Sequence, residues 1–449
     1  MYKFLLPLRY MFKRRISYLA LVAVVLCVFI VVIVMTVMSG LVSDFKQKNH
    51  DFTGDCVVGT ESLVGFPYYE EFVKVLEDQP FINSVSTVIK SYALINPSGG
   101  SEHRGVEVIG IDPVRHSRTT DFGQSLYFNR DDVSYAFVPS YQPNLPGCIL
   151  GIDLAAERGV WGGYSQQDAP FKFGLSVNCF PLTPSGALAK AGLDLVNTKT
   201  FYYSDNSQSG LARVDSSTIY LPFEQAQLLC GMDSPIKRTS WIHIKFSEAT
   251  DLSDGCRKVS SMWDEFAKEN SEKPGAVLLA NVAARSWKEH RREFIAAMEK
   301  EQAMITVMFI LVGVTTFFIV LVVFYMIISH KSKDIGVLRS LGVSRCDIIW
   351  LFSIYAFFIG LLGSAAGAVC GWLFLRKINE IESWLFEHFS FQLWDRTIYA
   401  IGDIPNRLDA GVLAVIIAGA VLACLLGAFL PSIQAAKKEP VETLQVNQL

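Results

Sequence analysis

Residues able to do chemistry are plentiful in this sequence, yet their spacing assembles no recognisable catalyst. The 449 residues contain no GxxxxGK followed by Ser or Thr, so no loop is built to cradle nucleotide phosphates. HExxH, the paired histidines of zinc proteases, is absent, and so is the GxSxG turn that presents a nucleophilic serine. His290, within Lys288-Glu289-His290-Arg291-Arg292, reads as a solvated helix residue. The nine cysteines form no CxxC and have no histidine-rich neighbourhood, so no metal site and no cofactor are expected in this chain. A net charge of −3 offers no field for nucleic acid, and no nucleic-acid partner is expected.

Three stretches have spacing suited to recognition instead. Residues 330–347 place Ile335, Leu338 and Leu341 at i, i+3 and i+6, along one side of a short helix that Gly342 would end. Such a helix lies on a membrane surface or docks in a partner's groove, and periodicity does not choose between these. The second stretch, Pro181–Gly192, has no acidic residue and presents Leu182, Ala187, Leu188 and Lys190 around a Pro184-Ser185-Gly186 turn. Pro184 narrows the freedom of the unbound chain, which lowers the ordering cost of docking. Third, Met35 and Met38 near the end of the first apolar run are flexible side chains that adapt to varied neighbours. Packing between helices accounts for the methionines equally well.

The elements that position these stretches are mostly apolar. Hydrophobic residues make up 51% of the chain and charged residues 18%, with a mean hydropathy of +0.31. The apolar excess is concentrated in four charge-free runs, Ser17–Ser43, Ala303–Ser329, Ile348–Leu375 and Gly411–Leu430. A hydrocarbon core of about 30 Å needs about 20 helical residues, and all four runs are long enough. Lys3, Arg9, Lys13, Arg14 and Arg15 precede the first run, whose length and lack of a small-residue cleavage site predict an anchor rather than a removable leader. Basic residues also crowd 330–347 (Lys331, Lys333, Arg339, Arg345) and the C-terminal tail (Lys437, Lys438), whereas the 376–410 loop holds more acids than bases. The positive-inside rule therefore predicts cytoplasmic termini and an outer domain at 44–302. No ionisable residue lies in any run, which disfavours an ion-driven relay, so energy for work must come from elsewhere.

Within 44–302 the pattern predicts a helix after Pro67, strands at Val85–Ile95 and Val106–Ile111, and a short strand leading into a helix from Cys148. Strands are expected at 171–180, 197–203, Ile219–Leu221 and Trp241–Phe246, with helices at Pro222–Leu229 and Asp251–Glu269. Val282–Glu301 reads as one amphipathic helix running into the second span. The domain holds five cysteines (Cys56, Cys148, Cys179, Cys230, Cys256), an odd number, so at least one stays unpaired and the connectivity is open.

Two motifs resemble a known family. Lys333-Asp334-Ile335-Gly336-Val337-Leu338-Arg339-Ser340-Leu341-Gly342-Val343-Ser344 is similar to the coupling signature of FtsX/MacB-type ABC transporter permeases, and Pro431–Leu444 resembles their C-terminal ending. Within that superfamily, Leu8-Arg9-Tyr10, Met35–Gly40, Gly105–Pro113, Leu150–Ala155 and Tyr220–Gln227 look like stretches of the lipoprotein-releasing LolC/LolE branch. The resemblance implies an α-helical membrane protein with four transmembrane helices and a two-lobed α+β periplasmic domain between helices 1 and 2. Its expected divisions are 1–43, 44–302, 303–329, 330–347, 348–375, 376–410, 411–430 and 431–449.

The resemblance also implies a bacterial inner-membrane permease subunit that extracts lipoproteins and passes them to a periplasmic carrier. It would not itself be an enzyme; a LolD-like ATPase would hold ATP and Mg²⁺ and dock on Ile335, Gly336, Leu338, Arg339, Leu341 and Gly342. A second copy or a LolC/LolE-like paralogue would dimerise with this chain, with membrane lipids and lipoproteins meeting Met35 and Met38. Thr183, Pro184, Ser185, Gly186, Ala187 and Leu188 fall where LolC-like members carry a hook for a LolA-like chaperone, although Thr198–Tyr203 departs from the strand that usually follows. A MacB-like exporter and an FtsX-like signal transmitter are the alternatives.

Overall fold

The computed structural model describes residues 15–97, 103–156, 164, 170–188, 196–330, 332–389 and 404–437. They form two compact units, one holding Asp44–Ala296 and the other the described residues up to Ser43 and from Ala297 onward, apart from the segment after Trp394.

The Asp44–Ala296 unit is α+β. Its strands are β1 (Cys56–Gly59), β2 (Phe66–Pro67), β3 (Ile82–Pro97), β4 (Arg104–Ile111), β5 (Gly147–Gly151), β6 (Gly174–Cys179), β7 (Asn197–Ser207), β8 (Thr218–Pro222), β9 (Arg238–Thr239), β10 (Trp241–Phe246) and β11 (Ala283–Ser286). Nine of them form one sheet in the order β11-β1-β10-β3-β4-β8-β5-β7-β6, while β2 pairs with β9. The 16-residue β3 is long enough to serve two neighbourhoods. Its start pairs with β10 (Val85↔Ile244), its middle with β4 (Ser91↔Val108) and its end with β6 (Ile95↔Val177). The last pairing closes β3-β4-β8-β5-β7-β6 into a ring around Ile89, Val108, Leu150, Val177, Phe201 and Leu221, all buried.

A second cluster lies where two helices cover β1, β10 and the start of β3. Helix Tyr69–Glu77 buries Tyr69, Phe72, Val73 and Leu76, the i, i+3, i+4, i+7 stripe of an amphipathic helix. Helix Leu252–Glu269 is capped by Asp251, whose carboxylate accepts from the N–H groups of Ser253 and Asp254, and it buries Val259, Trp263 and Phe266. Phe72 meets Trp263 edge-on with ring centroids 4.8 Å apart.

The expected single helix over Val282–Glu301 is corrected. Ala283–Ser286 is an edge strand paired with β1 (Cys56↔Ser286), and a Ser286/Glu289 capping box then starts a one-turn helix, Trp287–His290. The long helix begins only at Arg292. Pairing with a distant strand outweighs the local helical periodicity here. His290 is half-buried rather than fully solvated, its ring packing edge-on against Trp241 with centroids 4.7 Å apart.

Among the described residues, four helices are long and apolar enough to cross a membrane, Arg15–Asp51, Arg292–His330, Arg345–Phe389 and Ala410–Lys437. The third continues well past residue 375, because Ile378 still packs into the apolar cluster of these helices. A small-residue groove draws it against the first helix. A Cβ at Gly363 would stand 2.9 Å from Val24 Cγ1, one at Gly367 would meet the Val25 carbonyl at 2.6 Å, and one at Gly371 would lie 3.0 Å from Val32 Cγ1. Ala20, Val24, Val28 and Val32 recur every fourth residue and fill that groove.

Candidate functional site

The short helix Ser332–Ser340 lies between the second and third long helices. Gly342 closes it at φ +91, a left-handed conformation suited to glycine, with the Leu341 N–H donating to the Val337 carbonyl at 3.1 Å. Ser344 then caps the third helix, accepting from the Asp347 N–H at 3.1 Å. The six residues expected to meet an ATPase are divided by this geometry. Ile335 is buried with Ile328, Ile348, Phe352 and Ala435, and Gly336 is buried too. Arg339 donates from Nη1 to the Ala436 carbonyl at 3.1 Å, tying the helix to the end of Ala410–Lys437. Leu341, 77% exposed, and Gly342 face outward. The Leu338 side chain lies outside the described residues. The expected single face of Ile335, Leu338 and Leu341 is therefore corrected: three-residue steps drift by about 60° each in a 3.6-residue helix. The outward apolar pair is instead Val337, which sequence reasoning missed, and Leu341, at i and i+4.

The hairpin is in the Asp44–Ala296 unit. Leu182 and Leu188 form an antiparallel bridge around a turn in which the Gly186 N–H donates to the Thr183 carbonyl at 2.9 Å. The Thr183 N–H donates to the Ala187 carbonyl at 2.8 Å, and the Ala187 N–H donates to Thr183 Oγ1 at 3.1 Å. Gly186, at φ +80, occupies the left-handed corner that such a turn requires. Ser185, Gly186, Ala187 and Leu188 are exposed; Pro184 and Leu182 are half-buried, and residues 189–192 lie outside the described residues.

A residue not singled out from sequence holds the root of this hairpin. Arg238, 1% exposed, donates to the carbonyls of Val64 (2.9 Å), Leu182 (3.2 Å) and Gly231 (2.5 Å). In Lys237-Arg238-Thr239 nothing separates it from an ordinary surface arginine.

Met35 is half-buried and Met38 is buried in this single chain. Among the described residues the exposed methionines are Met304, Met308 and Met326, all on the second long helix, with Val307, Ile310 and Leu311 beside the first two. Among the described residues, no group of three or more His, Cys, Asp or Glu side chains is placed to hold a metal ion.

Residues 306–440 match the model of the FtsX-like permease C-terminal family. They contain most of the second helix, the short helix and the two later helices. Over 437 residues it is 22% identical to the lipoprotein-releasing system transmembrane protein LolC of Neisseria meningitidis, covering 97% of this chain and 95% of that one. LolC of Xylella fastidiosa is 20% identical over 98% of this chain and 97% of its own length. The resemblance to lipoprotein-releasing permeases thus extends along nearly the whole chain. The macrolide export protein MacB 1 of Aeromonas hydrophila matches over 26% of this chain and 15% of its own length, at 30% identity. The periplasmic region of MacB from Actinobacillus actinomycetemcomitans is similar with a TM-score of 0.29 and 11% identity, covering 54% of this chain and 94% of that one.

Proposed function

We propose that this chain is a permease subunit that draws lipoproteins out of a bacterial inner membrane and delivers them to a soluble periplasmic carrier. The observation that carries this reading is the similarity to LolC proteins along almost the full length of both chains. Acyl chains buried in a bilayer are held by about 0.8 kcal/mol per CH₂, so extraction requires an outside energy source. A separate ATPase with bound ATP and Mg²⁺ would supply it, docking on the Val337–Leu341 face. A second permease chain, identical or paralogous, and the surrounding lipids would cover the exposed second helix, with Met304 and Met308 accommodating acyl chains. The Asp44–Ala296 unit would lie in the periplasm, and the Thr183–Leu188 hairpin would receive the LolA-like carrier.

Photoreactive residues at 185, 187 and 188 should trap the carrier, and one at 130 should not. Equal trapping at both places, or none at the hairpin, would remove the carrier-docking assignment. The match to MacB over part of the chain favours a second reading, an exporter of another cargo. Recovery of a small-molecule cargo and no acylated protein with the purified complex would select it.

A further inference from the structure

The hairpin's root carries a feature that its proposed role does not use. Cys179 ends β6, where it stands opposite Ala93 and Asn197. Asn197 Nδ2 donates to the Leu229 carbonyl at 3.0 Å, which draws the end of helix Phe223–Leu229 over that strand end. The next residue, Cys230, caps the helix, its N–H bonded to the Ala226 carbonyl at 2.9 Å. One residue further, Gly231 lies so close to Pro181 that an added Cβ would stand 2.8 Å from the Pro181 Cβ. Cys179 and Cys230 are thus enclosed between two fixed contacts and buried in one apolar cluster.

A second pair repeats the arrangement elsewhere in the unit. Cys56 is fully buried in β1, and Cys256 of helix Leu252–Glu269 packs against the same apolar cluster. The Cys256 thiol also approaches the Asp55 carbonyl, Sγ to O 3.9 Å. Cys148, the fifth, is fully buried in the ring interior. Two apposed pairs and one isolated thiol resolve the odd count.

We propose that Cys179–Cys230 and Cys56–Cys256 are disulfide sites, the first a covalent staple beneath the hairpin, and that Cys148 stays reduced. The proposal rests on the periplasmic placement of this unit, where disulfides persist. The oxidant is a protein or small molecule carrying a reactive disulfide, acting before the core closes. The Cys230 thiolate attacks one oxidant sulfur, forming a mixed disulfide and releasing the other sulfur as a thiol. Cys179, losing its proton, then displaces the remaining oxidant sulfur. Two protein thiols are oxidised, the oxidant's disulfide is reduced to two thiols, and the two protons end there. The same steps apply to Cys256 and Cys56.

The test uses full-length protein from cells quenched in acid and alkylated with N-ethylmaleimide in denaturant, digested without reductant and weighed. Peptides holding Cys179 and Cys230 should be joined, as should those holding Cys56 and Cys256, each pair two hydrogens lighter than its separated parts. Cys148 should carry the maleimide. A separate Ser185→Cys variant, probed in spheroplasts with a membrane-impermeant maleimide, reports orientation. If Ser185→Cys is labelled while all five native cysteines are alkylated, the disulfides are refuted and the orientation stands. An unlabelled Ser185→Cys overturns the orientation and this proposal with it, and a bridge to Cys148 overturns the pairing. The staple should also protect the hairpin. Limited proteolysis within residues 182–188 should run several-fold faster in Cys179→Ser/Cys230→Ser than in Cys56→Ser/Cys256→Ser; equal rates would refute the staple's role.

Discussion

Three histidines sit side by side in the Asp44–Ala296 unit. His116 and His243 have ring centroids 5.6 Å apart, and His243 and His290 6.3 Å. Ser86 Oγ lies 3.1 Å from His116 Nδ1, whereas neither ring nitrogen of His243 has a hydrogen-bond partner. Burial lowers the pKa of His116 and of His290 from 6.5 to about 3, with Arg291, Lys90 and Arg285 adding repulsion at His290. His243 is lowered in the same direction, by burial first and then by His116 and His290. Because the folded values are depressed, the unfolded chain binds more protons below pH 6.5. Stability is therefore complete above that pH and falls as the medium is acidified toward pH 3. Each histidine costs about 1.4 kcal/mol per pH unit within this window. Unfolding of the solubilised protein, followed by tryptophan fluorescence, should show a steep loss of stability between pH 6.5 and 5. His243→Leu should flatten that slope; an unchanged slope would place the titration elsewhere. On the short helix, Leu341→Asp should abolish co-purification of the ATPase while the protein still inserts, since an unpaired charge in an apolar contact is expensive. Normal ATPase recovery with this variant would detach Leu341 from coupling.

At the scale of elements, the third long helix depends on its glycine groove. Gly367→Val would drive a side chain into the Val25 carbonyl and Val28 Cβ, 2.6 and 2.9 Å from the position of an added Cβ. The first and third helices would have to separate, so the variant should lose cooperative unfolding in detergent and accumulate at several-fold lower levels. Gly419→Val, with nothing within 4 Å, is the control and should behave as wild type. The four long helices could be read from sequence because hydrocarbon imposes one requirement along about 20 consecutive residues. Strands β3 and β4 could be read for a similar reason, since their own alternation marks them. The Thr183–Gly186 turn was legible from its proline and glycine alone. Strand β11 was not, because Ala283–Ser286 is extended only through pairing with Cys56–Gly59, more than 200 residues away. Arg238, the burial of Ile335 and the packing of His290 escaped for the same reason: each depends on what another part of the chain brings beside it. The hairpin was legible as a turn but not as an anchored one.

For the whole molecule, under the proposed function, cargo moves at the expense of ATP hydrolysed by a separate protein. Purified free of every other protein, the chain should turn over no ATP, having no phosphate-binding loop. The central claim is tested most directly by reconstituting the complex, with its co-purifying ATPase, into liposomes containing a fluorescent triacylated lipoprotein, and adding soluble carrier outside. The account predicts that fluorescence passes into the carrier fraction only when ATP and carrier are both present. It further predicts that replacing residues 183–188 with a Gly-Ser linker stops this passage while ATP hydrolysis continues. ATP hydrolysis at the full rate with every lipoprotein still in the liposomes, in the presence of intact carrier, would contradict it.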